Sequence, residues 1–230
     1  MNQNRGQHWF SAQYQKPLIY VVLILACGLL LALSACEQVL FEYELSSGEV
    51  LFQDDFSRHD GGWPSLVDST GSSDYLGEAY RIQVLVPNAE RYALPGLKLS
   101  NVRIQVESAS IGGPVDNRFG IVCRYQDADN YYAFLISTDG YYGVLKMAAG
   151  QPELLGAEEM QRHTRLEPGK LTYFLEAECN QSTLILRIDG AEITRLEDDS
   201  LTKGDVGLFA GTFQEPGAEI LFDNFKVLQP

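Results

Sequence analysis

The segment NRFGIVCRYQDADNYYAFLISTDGYYGVLK, residues 117–146, decides the fold of this chain. Its first part places Phe119, Ile121, Cys123 and Tyr125 at alternate positions, which predicts a β-strand with one buried face. Its second part, NYYAFLIS, is rich in aromatic residues, which favour strands covered on both faces. The segment therefore predicts two neighbouring strands of one sheet.

Two Asp-Gly dipeptides predict where strands reverse. Asp139-Gly140 separates NYYAFLIST from YYGVLKM, and Asp189-Gly190 separates TLILRI from AEITRL. Asp-Gly between alternating runs is a strong signal for a β-hairpin, because both central residues of a tight turn need a positive φ. We expect a two-residue hairpin at each site.

The rest of the chain from residue 50 onward keeps the same period of two. The runs VRIQVE (102–107), AYRIQVLV (79–86) and LTYFLEAEC (171–179) all alternate, and no amphipathic helix stands out. We count about ten to thirteen short strands with no fixed repeat. Residues 50–230 are therefore predicted to form one all-β, antiparallel two-sheet sandwich.

Three groups of segments carry a family resemblance. They are LFQDDFS with Trp63 nearby, the 117–146 segment, and ILRIDGAEI followed by GDVGLFAGT and ILFDNFKV. Together they resemble the concanavalin A-like, laminin-G-type jelly roll of bacterial extracellular lipoproteins. The resemblance implies a jelly-roll sandwich over about residues 50–230, with carbohydrate binding as the commonest activity and glycosidases among its members.

The N-terminal residues predict export. Residues 1–17 carry Arg5 and Lys16 without any acid, and residues 18–35 are nearly all apolar. This order is typical of a secretory signal peptide, here residues 1–35. The tetrapeptide Leu33-Ser34-Ala35-Cys36 resembles the lipobox of bacterial lipoproteins, which implies that Cys36 carries lipid.

Residues 36–49 are then predicted to be a lipidated linker between the membrane and the sandwich. An uncleaved transmembrane helix over residues 18–35 stays an alternative, since eighteen helical residues reach about 27 Å. In both interpretations the sandwich lies outside the cytoplasm, because Arg5 and Lys16 precede the apolar run.

The charge balance bears on partners. Seventeen Lys and Arg against 31 Asp and Glu give a net charge of −14, which repels nucleic acid, so no nucleic-acid partner is expected. The expected partners are the membrane, through the lipid anchor, and a polysaccharide or surface protein. An apolar fraction of 45% excludes a disordered chain.

Two cysteines remain once Cys27 is lost with the signal peptide and Cys36 is lipidated. Cys123 and Cys179 both fall on the apolar face of predicted strands. In an oxidising compartment this arrangement predicts a disulfide, provided that the two strands are neighbours. The alternative is two buried thiols that act as small hydrophobic residues.

Tyrosines around the first hairpin suggest a ligand site. One tyrosine of each adjacent pair is expected to be exposed, and an exposed ring stacks on a sugar while charged neighbours bind its hydroxyl groups. The residues chosen for this site are Tyr132, Tyr142, Arg124 and Asp129. The alternative is that these tyrosines only stabilise the hairpin.

Calcium is the one cofactor that the sequence leaves open. Asp54 and Asp55 lie in the first predicted strand and Asp223 in the last, and related sandwich modules hold a structural calcium where such strands pair. The alternative is that Asp223 caps a turn. The run from Asp127 to Asn130 lacks the glycine and the distal glutamate of a calcium loop, so we interpret it as a turn.

Evidence for catalysis is weak. The Glu-x-Asp-x-Glu string of the glucanase branch of this fold is absent, and the nearest pair is Glu176 and Glu178 on the solvent side of a predicted strand. His59 and His163 lie in no nucleophile motif. We therefore predict a non-catalytic, membrane-anchored protein that binds glycan or protein. The alternatives are a glycosidase-like enzyme and a purely structural accessory domain.

Overall fold

The computed structural model describes residues 47–230. The predicted signal peptide, the lipobox, Cys36 and most of the linker lie outside the described residues. Sixteen strands are present in this part of the chain. They are β1 Val50–Asp54, β2 Leu66–Asp68, β3 Gly71–Leu76, β4 Ala79–Val84, β5 Glu90–Ala93, β6 Val102–Gly112, β7 Asn117–Asp127, β8 Asn130–Ile136, β9 Tyr141–Ala148, β10 Gln151–Leu154, β11 Gln161–Arg162, β12 Thr172–Asn180, β13 Thr183–Ile188, β14 Ala191–Glu197, β15 Asp205–Thr212 and β16 Ala218–Leu228.

These strands form two sheets, in which neighbouring strands run antiparallel. The nine-stranded sheet has the order β14-β13-β12-β6-β16-β4-β3-β2, with β1 also paired to β16. The seven-stranded sheet has the order β10-β9-β8-β7-β15-β5, with β11 also paired to β9. The chain crosses repeatedly between the sheets, so the prediction of an all-β, antiparallel two-sheet jelly roll is confirmed.

The first and last strands close the sandwich. The second half of β16 pairs with β1, while its first half pairs with β4. The change of partner coincides with a bulge, where Asn224 has φ +54°. An extra residue at a bulge turns the strand and frees its edge for a new neighbour.

The main core lies between the two sheets. Alternate residues of β6 (Val102, Ile104 and Val106) face Ile121 of β7 and Phe134 of β8 across the interior. The intervening Arg103 and Gln105 are only half-buried. This is the alternation that the sequence predicted, and burial of each large aliphatic side chain contributes about 1.5–3 kcal/mol.

The alternation breaks in β7. A register shift between Cys123 and Asp127 accompanies Arg124, which has φ +53°. Beyond this bulge Tyr125 packs on the outer face of the seven-stranded sheet rather than in the main core. The prediction that Tyr125 shares a face with Phe119, Ile121 and Cys123 is therefore wrong, because the bulge inserts one residue into the alternation.

The two Asp-Gly turns differ. At the second, Asp189 and Gly190 both have positive φ, as expected for a tight hairpin. At the first, only Gly140 has a positive φ, and its amide donates to the carbonyl of Ser137. The Ser137 hydroxyl donates to the Asp139 carboxylate and so favours a wider turn.

Residues 47–230 contain no helix with the length and apolar character needed to cross a bilayer.

Candidate functional site

Two of the four residues predicted to bind ligand are inside the protein. Tyr132 is 0% exposed, and its hydroxyl donates to Asp198 and accepts from the amide of Leu201. Arg124 is 1% exposed and donates to main-chain carbonyls. Neither side chain lies on a surface where a sugar can reach it. The prediction that Tyr132 and Arg124 bind a glycan is therefore wrong.

The other two residues do not form a site with them. Tyr142 packs partly against the main core, and its hydroxyl donates to Gln161. Asp129 is exposed in the turn between β7 and β8, where its amide donates to Asp127. Side chains along a strand alternate between its two faces. Tyr132 in β8 and Tyr142 in β9 both occupy positions whose side chains point inward, so both rings face the main core.

Cys123 and Cys179 are joined by a disulfide. Cys123 belongs to β7 of the seven-stranded sheet and Cys179 to β12 of the nine-stranded sheet, and both are fully buried. The bond therefore crosses the core and links the two sheets.

The carboxylates of Glu176 and Glu178 are held in an ion-pair network. Arg187 on the neighbouring strand donates to both, at 2.6 Å and 2.9 Å. Gln105 also donates to Glu176, at 2.6 Å. The guanidinium of Arg187 therefore lies between the two carboxylates and engages both of them in hydrogen bonds within the sheet.

Asp54, Asp55 and Asp223 are each used by local hydrogen bonds. Asp54 accepts from the Phe56 amide and the Trp63 indole, and Asp55 accepts from Ser57. Asp223 accepts from the Asn224 amide. Residues 47–230 contain no group of three or more His, Cys, Asp or Glu side chains arranged to hold a metal ion. The three aspartates thus act as turn caps rather than as a ligand cluster.

Asp223 also faces a like charge. It lies directly opposite Glu107 in the β6–β16 register. Burial raises the pKa of the Asp223 carboxyl, and the negative charges of Glu107 and Asp55 raise it further. Glu107 lines a polar groove of about 890 Å³ on the nine-stranded sheet, but this groove offers few aromatic rings for stacking.

Aromatic rings collect instead on the outer face of the seven-stranded sheet. Tyr92 of β5, Tyr125 of β7, Tyr131 of β8 and Phe209 of β15 form what we call the aromatic face. Tyr125 stacks on Tyr131 with ring centroids 5.7 Å apart, and Tyr92 contacts both, at 5.5 Å and 5.3 Å. Tyr131 and Phe209 are fully buried beneath, while Tyr92 and Tyr125 remain partly exposed.

A polar network orients these rings. The Tyr92 hydroxyl donates to Glu90 at 2.8 Å and lies 2.7 Å from the hydroxyl of Tyr131. Arg118 donates to Glu90 at 3.3 Å, and its guanidinium lies 4.9 Å from the ring centroid of Phe213. Burial raises the pKa of Tyr131 to about 12, so its hydroxyl stays protonated at neutral pH.

A cleft adjoins the aromatic face at Tyr125, and a second cleft contains Phe213, whose ring lies 4.9 Å from the guanidinium of Arg118. One cleft, of about 730 Å³, is lined by Tyr125 together with Lys98 and Lys203. The other, of about 430 Å³, is lined by Tyr141 and Phe213. Arg118 and Tyr125 are seven positions apart along β7, so the strip of this sheet from the Arg118–Glu90 pair to Tyr125 is roughly 20 Å long. Such a surface has the length of a short oligosaccharide and the rings and hydroxyl groups that bind sugars.

Sequence reasoning missed most of this face. Tyr92 and Glu90 lie in the four-residue strand ERYA, which is too short for its alternation to be recognised. The alternation in β7 predicts an inward Tyr125, because residue types alone do not reveal the bulge at Arg124.

Comparisons with known proteins identify the fold. The chain matches no protein-family model and no curated protein. Among solved structures it is similar to a carbohydrate-binding module, CBM66, from Bacillus subtilis, with 18% identity and a TM-score of 0.56 over 73% of this chain and 95% of that one. A Bacillus subtilis protein of unknown function with a galectin-like fold gives 12% identity and a TM-score of 0.58, over 80% and 97% of the two chains.

A third structure is the GH43 protein BlXynB of Bacillus licheniformis, with 18% identity and a TM-score of 0.59. The match covers 77% of this chain but 39% of that one, so it concerns one part of a larger protein. At these identities the likeness concerns the fold: this chain has the galectin-like jelly-roll sandwich that carbohydrate-binding modules and glycoside hydrolases also contain.

Proposed function

We propose that this protein is a non-catalytic glycan-binding protein and that the aromatic face is its binding surface. The observation that carries the proposal is the clustering of Tyr92, Tyr125 and Tyr131 on one sheet face beside the Arg118–Glu90 ion pair. Partly exposed rings stack on the apolar side of a sugar, and the charged pair accepts and donates hydrogen bonds to its hydroxyl groups. The fold shared with CBM66 supports this assignment.

A glycan array tests the proposal with the full-length chain purified in detergent. We expect the wild-type protein to bind at least one wall, plant or host polysaccharide. Tyr92→Ala and Tyr125→Ala each remove a ring from the face, which costs about 1–2 kcal/mol and therefore roughly five- to thirtyfold in affinity.

Tyr142→Ala is the matched control, because it removes a tyrosine of the same sheet whose ring packs toward the main core. Circular dichroism confirms that each variant keeps its β-structure. If the wild-type chain binds no glycan and a membrane pull-down yields one protein partner that Tyr125→Ala loses, the surface binds protein and the glycan proposal fails.

We further propose that a lipid at Cys36 holds the sandwich outside the cytoplasm. This proposal rests on the sequence order of Arg5, Lys16, the apolar run at residues 18–35 and the lipobox-like LSAC. Mass spectrometry of the chain from a bacterial membrane is expected to find an acylated Cys36 at the N-terminus, and Cys36→Ser is expected to lose the acyl chains. An intact, unacylated Met1 terminus contradicts the lipid anchor.

A further inference from the structure

The cleft at the Tyr125 end of the aromatic face contains two lysines without ion pairs. Lys98 and Lys203 are both exposed and both line this cleft. The backbone groups of Leu99 and Gly204 hydrogen-bond to each other in both directions, at 2.9 Å and 3.0 Å, so the two lysines are held on adjacent antiparallel segments. Neither makes a salt bridge within residues 47–230.

Eight of the fifteen Lys and Arg side chains in residues 47–230 form ion pairs with carboxylates, and Lys98 and Lys203 are among the seven that do not. The net charge is −14, and many described cations are neutralised by carboxylates, as Arg81 is by Asp74 and Glu219. Two unpaired lysines beside a ligand-accessible tyrosine are therefore available to a charged ligand.

The one acidic residue that lines this cleft is already engaged. Asp205 accepts hydrogen bonds from the amides of Gly96, Leu97 and Val206 at 2.9, 2.7 and 2.8 Å. It therefore fixes the loop that carries Lys98. Asp127, just beyond Tyr125, accepts from the Asp129 amide and the Asn130 side chain within its own turn. Both carboxylates are thus engaged in hydrogen bonds within their own loops, whereas Lys98 and Lys203 form no ion pair within residues 47–230.

We propose that the aromatic face takes a glycan that carries anionic groups, with the anion between Lys98 and Lys203 and the adjoining sugar ring on Tyr125. The inference rests on the proposed glycan binding and specifies the class of sugar. The anion is a carboxylate, as in a uronic acid, or a phosphate, since both accept several hydrogen bonds from ammonium groups. At physiological ionic strength, electrostatic interactions are screened over about 8 Å, so the two nearby lysines determine the interaction with an anion that is bound in the cleft. The overall negative charge of the protein disfavours binding of densely charged polymers.

Ligands that share a sugar backbone and differ in charge show whether the protein recognises the charge or the sugar. The full-length chain in detergent is titrated with polygalacturonate and with its methyl ester, which has the same backbone without the charge. Poly(glycerol phosphate) forms a second arm, which distinguishes phosphate from carboxylate, and a neutral and acidic glycan array forms the third. We expect at least one acidic ligand to bind more tightly than its neutral counterpart, with an affinity that falls as salt is raised.

The lysine variants then test the site. In Lys98→Gln/Lys203→Gln we expect about tenfold weaker binding to the acidic ligand, a flatter salt dependence and unchanged binding to neutral glycan. Arg58→Gln/Lys226→Gln is the control: it makes the same change in charge in the groove of the nine-stranded sheet. Binding restricted to neutral glycans, or an unchanged affinity in the lysine double variant, overturns this inference and leaves glycan binding intact. If no glycan of either class binds, the proposed function itself fails.

Discussion

At the scale of single residues, Arg124 shows how a buried charge serves the fold. It donates to the carbonyls of Ser100, Leu201 and Gln181 at 3.2, 2.7 and 2.7 Å, and so ties three loops to one end of the sandwich. The positive φ of Arg124 is an unfavourable backbone conformation, and the contacts between Arg124 and the surrounding loops hold it in place.

Arg124→Met is expected to lower the free energy of unfolding by about 3 kcal/mol or more, because three carbonyl acceptors lose their donor. Urea denaturation followed by tryptophan fluorescence measures the loss. Arg165→Met removes an exposed arginine and should change the stability by less than about 0.5 kcal/mol. Equal losses in the two variants contradict this role for Arg124.

Asp223 gives a prediction with a pH dependence. Its pKa is raised in the folded state by burial and by the negative charge of Glu107, so its ionised form destabilises the fold at neutral pH. Asp223→Asn keeps an acceptor for the Asn224 amide and removes the repulsion. We expect a gain of about 0.5–1 kcal/mol at pH 7.

The gain should shrink as the pH falls through the raised pKa, and it should vanish below the unfolded value, where Asp223 is protonated in both states. Thermal unfolding between pH 7 and pH 3 measures this trend. Asp199→Asn removes the same charge from an exposed position and controls for net charge. A gain that persists unchanged at pH 3 is incompatible with repulsion as its cause.

At the scale of elements, the two hairpins show how turn chemistry depends on context. Asp189 and Gly190 both adopt positive φ, and a Cβ added to Gly190 meets no atom within 4 Å. Gly190→Ala should therefore cost about 1–2 kcal/mol from backbone conformation alone. Gly190→Asn should cost less, since asparagine tolerates this region. Chemical denaturation of both variants checks the order, and an equal cost contradicts it.

The bulges have a larger effect than the turns on where side chains lie. The bulge at Arg124 places Tyr125 on the aromatic face. The bulge at Asn224 allows β16 to change its partner from β4 to β1. Each adds a single residue to a strand, and each exchanges the two faces for every residue that follows.

At the scale of the whole molecule, the disulfide is the covalent link between the sheets. Cys123 and Cys179 close a loop of 56 residues, for which chain entropy predicts about 4 kcal/mol of stabilisation. Cys123→Ala/Cys179→Ala should lose roughly that amount in urea denaturation. Reductant should destabilise the wild type and leave the double variant unchanged. A double variant as stable as the wild type would show that the core alone holds the sheets together.

The two outer faces divide the surface of the sandwich into different chemistries. The nine-stranded sheet presents ion pairs and carboxylates such as Arg187 with Glu176 and Glu178. The seven-stranded sheet presents aromatic rings bordered by unpaired lysines. Ligand binding is therefore expected on one face only, and substitutions on the opposite face should change stability rather than affinity.

The sequence by itself determined the all-β class, the antiparallel two-sheet sandwich and most of the strand positions. Hydrophobic alternation is a local property of one strand. The burial of Val102, Ile104 and Val106 can therefore be predicted without information about the neighbouring strands. The hairpin at Asp189-Gly190 follows from local turn chemistry in the same way.

Only the tertiary structure decided which residues form the candidate site. The burial of Tyr132 and Arg124, the outward position of Tyr125 and the meeting of Tyr92 with Tyr131 depend on strand order and on a bulge. These features join residues far apart in the chain. Their physical cause is the register of strand pairing, which no local pattern of residue types encodes.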